Sequence, residues 1–375
     1  QHSIAYLTLK QDKSLDRQLV LPHQDARFYA PQAAEETELN TYISQAGFLG
    51  SRRAVHSVAV LPSMFVDLDH YNIPALKDLN SSELVNHILQ AERWLPTPTF
   101  IADSGRGAYL QWVFTDPLMN NKLPRWQTSM ACLVDLLEPY GADPKAKDAA
   151  RVLRLAWSTH TGTGSQVQYD QLGSEVKFTD IEKIIKANHE STFPKLTATP
   201  QTKRKPLTGQ VSRSNVKSLF NTHTLHWGRM QDIQKLAELR APLTDYRYRM
   251  IYHLAVSAAW FCPSVESLQQ EVNSLAETYF QDPTRYTDPR KLKTITGNMM
   301  KGKDGKKTPW KGKEVDYRYR VKTATIIKDL DITPEEQRHM MILIDSTEKY
   351  RRKKAKRRAA GQLARDKWLA KIRQE

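Results

Sequence analysis

Two carboxylates, Asp67 and Asp69, close the segment Ser63-Met64-Phe65-Val66-Asp67-Leu68-Asp69-His70. Apolar residues run from Ala59 to Leu61 and resume at Met64 after Pro62, the pattern of a short strand buried on both faces. Side chains two apart on a strand share a face, so both carboxylates point one way, about 7 Å apart. Such a pair repels unless a cation stands between, and carboxylates are the hard oxygen donors that magnesium and manganese take. A strand end with two solvated aspartates fits the same pattern.

Two further polar clusters follow. Thr99 to Phe114 reads as strand, glycine turn, strand, with Asp103-Ser104-Gly105-Arg106-Gly107 at the tip of the hairpin. Glycines let backbone approach a ligand, and Ser104 and Arg106 offer donors to a phosphate; an ordinary Ser-Gly turn reads alike. The third cluster is Asp143, in a loop before Pro144, followed by Arg151, Arg154 and His160. The two arginines share a face if their segment is helical. Arginines near aspartates are often plain surface pairs, and a histidine in a polar loop is often simply solvated.

The elements that must position these residues are read from periodicity. Ile4 to Leu9 is an expected strand. A helix is expected over residues 33–48, with Leu39, Tyr42, Ile43 and Ala46 on one face. Ser81 is expected to cap a helix running to about Leu95, and Arg125 to Leu137 is another. From Lys195 to Ser214 periodicity gives way to Pro, Thr, Lys, Gln and Ser, as in a linker. Beyond it the pattern is helical over Asp232 to Leu239, Tyr246 to Phe261, Val265 to Tyr279 and Pro289 to Met300, with Trp260 and Phe261 read as core. A basic glycine-containing loop carries Lys301, Lys303, Lys306 and Lys307. Two short helices are expected at Lys322 to Leu330 and Pro334 to Asp345, the second capped by Thr333 with Pro334 at its first position. A basic helix or tail from Lys349 includes Arg351, Arg352, Lys353 and Lys354. Such runs are commonly solvated, and they are also the ordinary form of a phosphate contact without sequence preference.

Composition bounds the partners. The chain has 375 residues and a net charge of +15, an excess that suits a polyanion, nucleic acid first. Cys132 and Cys262 are its two cysteines, too few for a zinc cluster or a disulfide framework, so a reducing intracellular setting is expected and zinc is not. No apolar run reaches the ~20 residues of a membrane helix, so no membrane partner is expected. The first residues carry no secretory pattern, and the start at Gln1 rather than Met is what trimming would leave.

In order and spacing, Phe65-Val66-Asp67-Leu68-Asp69, Asp103-Ser104-Gly105-Arg106-Gly107 and Ala142-Asp143-Pro144 with Arg151-Val152-Leu153-Arg154-Leu155-Ala156 resemble the archaeo-eukaryotic primase superfamily. Within it they are most similar to the RepB-type primases of plasmids and phages. The resemblance covers residues 1–190 well and 230–320 loosely. It implies an α+β chain: a primase-type α/β catalytic domain with a mixed sheet over 1–194, a linker at 195–215, an all-α domain at 216–320, and a helical pair with a basic tail at 321–375. It implies that Asp67, Asp69 and Asp143 bind two Mg2+ or Mn2+ ions, with Asp148 as the second choice for the third ligand. Ser104, Arg106, Arg151 and Arg154 would hold a nucleoside triphosphate. Family members often carry a histidine in the second hairpin strand; here Tyr109 stands there, with Gln111 nearby, and His160 is the candidate to supply the imidazole. Lys301, Lys303, Lys306, Lys307, Arg351, Arg352, Lys353 and Lys354 are the expected DNA contacts.

The implied activity is primer synthesis on single-stranded DNA from nucleoside triphosphates, in the cytoplasm of a prokaryotic host, alongside a replicative helicase or initiator. Two other classes stay open. One is a replication initiator with an inactive primase fold, which the charge fits equally but the three acids do not. The other is a two-metal nuclease or relaxase, for which His70 and Tyr71 lack the clustered histidines.

Overall fold

The computed structural model describes residues 2–12, 14–193, 215–310 and 312–372, with backbone alone for 215–220 and 360–372. The expected linker, 195–215, lies outside the described residues apart from Asn215. The chain divides into two compact units, residues 1–224 with 261–274 and residues 225–260 with 275–375.

The first unit runs β1 (Ser3–Leu9), β2 (Leu15–Pro22), α1 (His23–Ala34), β3 (Asn40–Ser44), β4 (Gly47–Phe48), β5 (Val58–Leu68), α2 (Ser81–Ala91), β6 (Phe100–Asp103), β7 (Ala108–Met119), α3 (Leu123–Leu137), β8 (Val152–Arg154), β9 (Gln168–Gln171) and α4 (Phe178–Thr192). The strands form one sheet in the order β8-β3-β1-β4-β5-β7-β6-β9, with β2 on β1. Its ladders are antiparallel, and an isolated bridge, Phe114 with Val176, is parallel. The protein is therefore α+β.

β5 and β7 carry the core. Met64, Phe65, Val66, Leu110 and Trp112 are fully buried, which accounts for the apolar stretch at 64–66 of β5 and stabilises the sheet by about 1.5–3 kcal/mol per large side chain. The indole N–H of Trp126 on α3 donates to the Ser63 carbonyl at 2.8 Å, and its ring lies 6.1 Å from Phe65. β5 passes through Pro62 by a shift of register between Leu61 and Ser63. A residue without an N–H is tolerated at such an irregularity.

Three local expectations are corrected. Residues 33–48 are not a helix: α1 ends at Ala34 and β3 pairs with β1, Tyr6 opposite Ile43. The helical spacing of four apolar residues there was outweighed by pairing of a β-branched and aromatic stretch with a neighbouring strand. The cap of α2 is Asn80, whose side chain accepts from the Glu83 amide at 2.9 Å while Glu83 accepts from the Asn80 amide at 3.0 Å. The segment holding Arg151 and Arg154 is not helical but enters β8 on the edge beside β3.

Phe261–Ser274 belongs with the first unit. Glu271 is wholly buried there; it accepts from the Val55 amide at 2.5 Å and pairs with His56 Nδ1 at 2.9 Å.

The later elements are α5 (Asn215–Leu239), α6 (Arg247–Phe261), α7 (Val265–Tyr279), α8 (Thr284–Thr287), α9 (Lys293–Lys303), β10 (Lys307–Trp310), β11 (Lys313–Asp316), α10 (Thr323–Asp329), α11 (Pro334–Gln337) and α12 (Ser346–Ile372). Within the second unit, mainly helical, the basic loop expected at residues 301–307 is divided: Lys301 and Lys303 end α9, Lys306 follows a turn, and Lys307 opens β10, which pairs with β11. Thr333 caps α11 as expected, but that helix stops at Gln337. The amides of Met341, Ile342 and Leu343 donate instead to the buried Asp232 carboxylate at 2.6–2.7 Å, so no helical ladder continues. Phe261 is core, whereas Trp260 is only half-buried. Among the described residues no helix is long and apolar enough to cross a membrane.

Candidate functional site

β5 ends at Leu68, and the chain beyond it is tied to the loop at 141–143. Leu68 bridges Ala142 in antiparallel fashion. The Asp69 amide donates to the Gly141 carbonyl at 2.8 Å, and the Asp143 amide donates to the Asp67 carbonyl at 2.9 Å. Gly141 is required for this approach: its φ is +91°, and a Cβ there would come 2.9 Å from the Asp69 carbonyl carbon. Asp143, far away in sequence, is thereby brought beside Asp67 and Asp69 at one strand end.

The hairpin tip closes over the same end. The Ser104 amide donates to the Gly107 carbonyl at 3.0 Å, and Ser104 Oγ accepts from the Gly107 amide at 3.1 Å. Its own O–H is then available to a ligand. Gly107 presses against β5, where a Cβ would lie 2.4 Å from the Leu68 carbonyl oxygen. The Arg106 guanidinium lies over the Tyr71 ring, 4.2 Å from its centroid.

The opposite wall is β8 and the loop after it. Arg151 reaches two acids, Nη2 standing 3.3 Å from Asp143 Oδ2 and 3.8 Å from Asp67 Oδ2. Arg154 donates through Nη1 to Asn40 Oδ1 at 2.6 Å and lies 5.0 Å over Tyr42. His160 Nδ1 accepts from the Gly162 and Thr163 amides at 3.1 and 3.2 Å, which leaves its proton on Nε2. Burial, with Arg154 and Arg106 nearby, lowers its pKa, so the ring is neutral at pH 7. Tyr109 faces Asp67 across the β5–β7 ladder. Burial and the Asp67 charge push its pKa up, so the phenol stays protonated.

Asp67, Asp69, Ser104, Arg106, Tyr109, Arg151, Arg154 and His160 line one cavity of about 410 Å³. Asp143 lines the adjoining one, of about 450 Å³, with Arg151, Lys145 and Arg53. Asp148 lies there too, but it is buried and its Oδ1 accepts from the Ala150 amide at 2.9 Å. Asn40, Tyr42 and Tyr71 also line the first cavity; Asn40 and Tyr42 were missed as site residues, and Tyr71 was weighed only for a relaxase. They are ordinary polar and aromatic residues in sequence; only Tyr71, two places after Asp69, carried a signal. His70 is buried and turned to the Leu79 carbonyl, 3.1 Å away.

Burial pushes the Asp67 carboxyl up to about 7; Arg151 opposes the rise, and Asp69 and Asp143 add to it. Three gathered carboxylates are a donor set that fits magnesium or manganese. Among the described residues no three acidic, histidine or cysteine side chains are already spaced around one ion. Arg151 supplies the positive charge that Asp67 and Asp143 need.

The expected DNA contacts divide. Lys301, Lys303, Lys306, Lys307, Lys353 and Lys354 are exposed, Lys306 lying 3.4 Å from Asp304 and Lys301 over Tyr317 at 4.9 Å. Arg351 and Arg352 both pair with Glu348, at 2.6 and 2.7 Å. Arg352 also donates to the Gln337 carbonyl at 2.8 Å, so it helps to hold the second unit together.

No protein-family profile matches this sequence. The chain is 27% identical over 308 residues to a replication protein of Clostridium perfringens, covering 81% of this chain and 68% of that one. Among solved structures it is similar to the AEP domain of the cyanophage S-2L primase-polymerase, with a TM-score of 0.36, 20% identity, and coverage of 49% of this chain and 89% of that one. It is similar to the catalytic domain of primase RepB′ in complex with initiator DNA, with a TM-score of 0.32, 14% identity, and coverage of 51% and 89%. It is also similar to the longer primase RepB′, with a TM-score of 0.32, 14% identity, and coverage of 79% and 90%. By sequence, then, the chain is similar to a replication protein.

Proposed function

We propose that this chain is a DNA primase-polymerase of a plasmid, phage or other mobile element, which joins nucleotides into primers on single-stranded DNA. The observation that carries the reading is the convergence of three separate sequence clusters on one cavity: acids from β5, donors from the β6–β7 hairpin and arginines from β8. The similarity to a replication protein supports a role in replication.

In this reading a nucleoside triphosphate lies against Ser104, Arg106 and Arg154. Their donors are preorganised, Arg106 by Tyr71 and Arg154 by Asn40 and Tyr42, and preorganised donors stabilise charge that develops on phosphate oxygens. Asp67, Asp69 and Asp143 would hold magnesium or manganese, which would supply activation of a primer hydroxyl and neutralisation of the departing pyrophosphate. Arg151, which stands beside Asp143 and Asp67, would turn to phosphate once those acids held a cation. Neutral His160 offers its Nε2–H, and Tyr109 its phenol, as uncharged donors. A replicative helicase or initiator is the protein partner such an activity implies, in the cytoplasm of a prokaryotic host.

The experiment is incorporation of labelled nucleotide on single-stranded DNA, with and without a primer, in magnesium and in manganese. Incorporation that Asp67→Asn abolishes supports the proposal. A second reading, a replication initiator that binds DNA without catalysis, is favoured by Arg151 already pairing two of the three acids. DNA binding with no incorporation under any of these conditions would establish that reading instead.

A further inference from the structure

The second unit carries a surface that the motifs above do not use. Tyr248 and Tyr252 lie four residues apart on α6, hence on one helix face, and are 49% and 39% exposed. Tyr319, after β11, is 41% exposed, and its ring centroid lies 6.4 Å from that of Tyr252. An open cleft of about 500 Å³ runs along this face, lined by Tyr248, Arg249, Tyr252, His253, Lys328 and Asp329.

The surroundings are cationic. Arg249, Arg285, Lys291, Arg320 and Lys328 are all exposed. The acid lining the cleft, Asp329, is engaged through Oδ2 with His253 Nε2 at 3.1 Å. Tyr248 is held through its ring and hydroxyl, and Tyr319 through its backbone. Arg285 Nε donates to the Tyr248 hydroxyl at 2.9 Å, and Lys291 lies 5.5 Å from that ring's centroid. The Tyr319 carbonyl accepts from the Trp260 indole at 2.8 Å, and Arg318 and Arg320 lie over the Trp260 ring at 4.0 and 5.0 Å.

We infer that Tyr248, Tyr252 and Tyr319, with the cations around them, form a platform for single-stranded DNA. Fixed, exposed aromatic faces are what unpaired bases stack on, and the flanking arginines and lysines match the phosphates between them. A duplex hides its base faces and offers such rings nothing. A protein partner would call for more apolar surface and fewer like charges. The inference rests on the reading of the chain as a replication protein that uses a DNA template. It adds a site for that template apart from the lysines of α9, the β10–β11 hairpin and α12.

The test is fluorescence anisotropy of the full chain with a labelled oligothymidylate and with a duplex of the same length. Tyr248→Ala, Tyr252→Ala and Tyr319→Ala are expected to weaken single-strand binding about 10-fold each, the loss of one stacked base. Tyr252→Phe should bind as the parent does, and duplex binding should not change. Arg249→Gln and Lys328→Gln should each lower the slope of log affinity against log salt by about 0.7. Unchanged single-strand affinity in the triple alanine variant, or equal losses on both DNAs, would overturn the platform. Incorporation is assayed separately on the same proteins. A chain that stacks DNA on these tyrosines but joins no nucleotides overturns the primase reading alone, whereas an active chain indifferent to the tyrosines overturns the platform alone.

Discussion

The amide of Asp143 donates a hydrogen bond of 2.9 Å to the carbonyl of Asp67. This bond extends the pairing of β5 with the loop at 141–143 by one residue and places the third acid beside the first. The backbones of Asp67 and Asp143 are thereby held side by side, and their carboxylates start from neighbouring Cα atoms.

Loss of any of the three acids should stop nucleotide joining without unfolding the chain. Asp67→Asn, Asp69→Asn and Asp143→Asn are each expected to cost roughly 100-fold or more in incorporation rate, the scale of removing a main electrostatic contact to the reacting groups. Asp148→Asn should cost far less, because its carboxylate is spent on the Ala150 amide. Steady-state incorporation with circular dichroism as the folding control decides this. Full activity in Asp143→Asn would remove it from the cluster.

The acid cluster should make the metal-free protein less stable as pH rises. The Asp67 pKa is raised from 3.8 to about 7. Between those values the folded state binds more protons than the unfolded one, so stability falls with increasing pH across that window. Asp67→Asn removes the effect and should raise Tm at pH 7.5 by several degrees, on the scale of about 1–2 kcal/mol, with little change at pH 4. Thermal melts in chelator at several pH values test it. Parallel Tm curves for both proteins would show that Asp67 titrates normally.

Asn40 should act on the nucleotide through Arg154. It accepts from Arg154 at 2.6 Å and donates to Thr161 Oγ1 at 2.6 Å. Asn40→Ala should raise KM for nucleotide about 10-fold while sparing the fold, since roughly 1.4 kcal/mol of positioning is lost. Arg154→Lys should be worse, because the planar fork that stacks on Tyr42 is gone. Wild-type KM in Asn40→Ala would mean that Arg154 holds its place unaided.

Glu271 should matter to a unit from which it is distant in sequence. Glu271→Ala leaves the buried Val55 amide without an acceptor and His56 Nδ1 without its carboxylate partner. A loss of about 1–3 kcal/mol is expected in urea unfolding. For the same reason a fragment ending near Ser191 should be markedly less stable than the full chain. Equal urea midpoints for Glu271→Ala and the parent would count against this role.

The basic helix should contribute through its lysines. Lys353→Ala with Lys354→Ala should lower the salt slope of DNA binding and leave stability alone. Arg352→Ala should instead lower stability, since its guanidinium is engaged by Glu348 and two backbone carbonyls. Salt titrations and melts on the two variants separate the effects, and the reverse pattern would refute the division.

Where a signal is local and chemical, the sequence by itself determined the outcome. Asp67 and Asp69 at the end of an apolar run, the glycine turn around Ser104 and the Thr333 cap were all legible, because strand alternation, glycine turns and capping act within a few residues. The α+β layout was what the resemblance of the three motifs implied. Pairing partners were not legible. Tyr42 and Ile43 match a helical spacing but sit in a strand, because β1 lies beside them and sheet pairing outweighs weak local preference. The resemblance implied that Asp143 joins Asp67, but only the tertiary structure supplied the backbone bond between them, set Arg151 across both, and added Asn40 and Tyr42 around the cavity. Nothing in those residues' own neighbourhoods encodes such contacts; they arise when buried strands fix their register. Phe261–Ser274 teaches the same lesson. Its helical pattern looks like its neighbours', and it joins the first unit because the buried Glu271 carboxylate there accepts from the Val55 amide and pairs with His56.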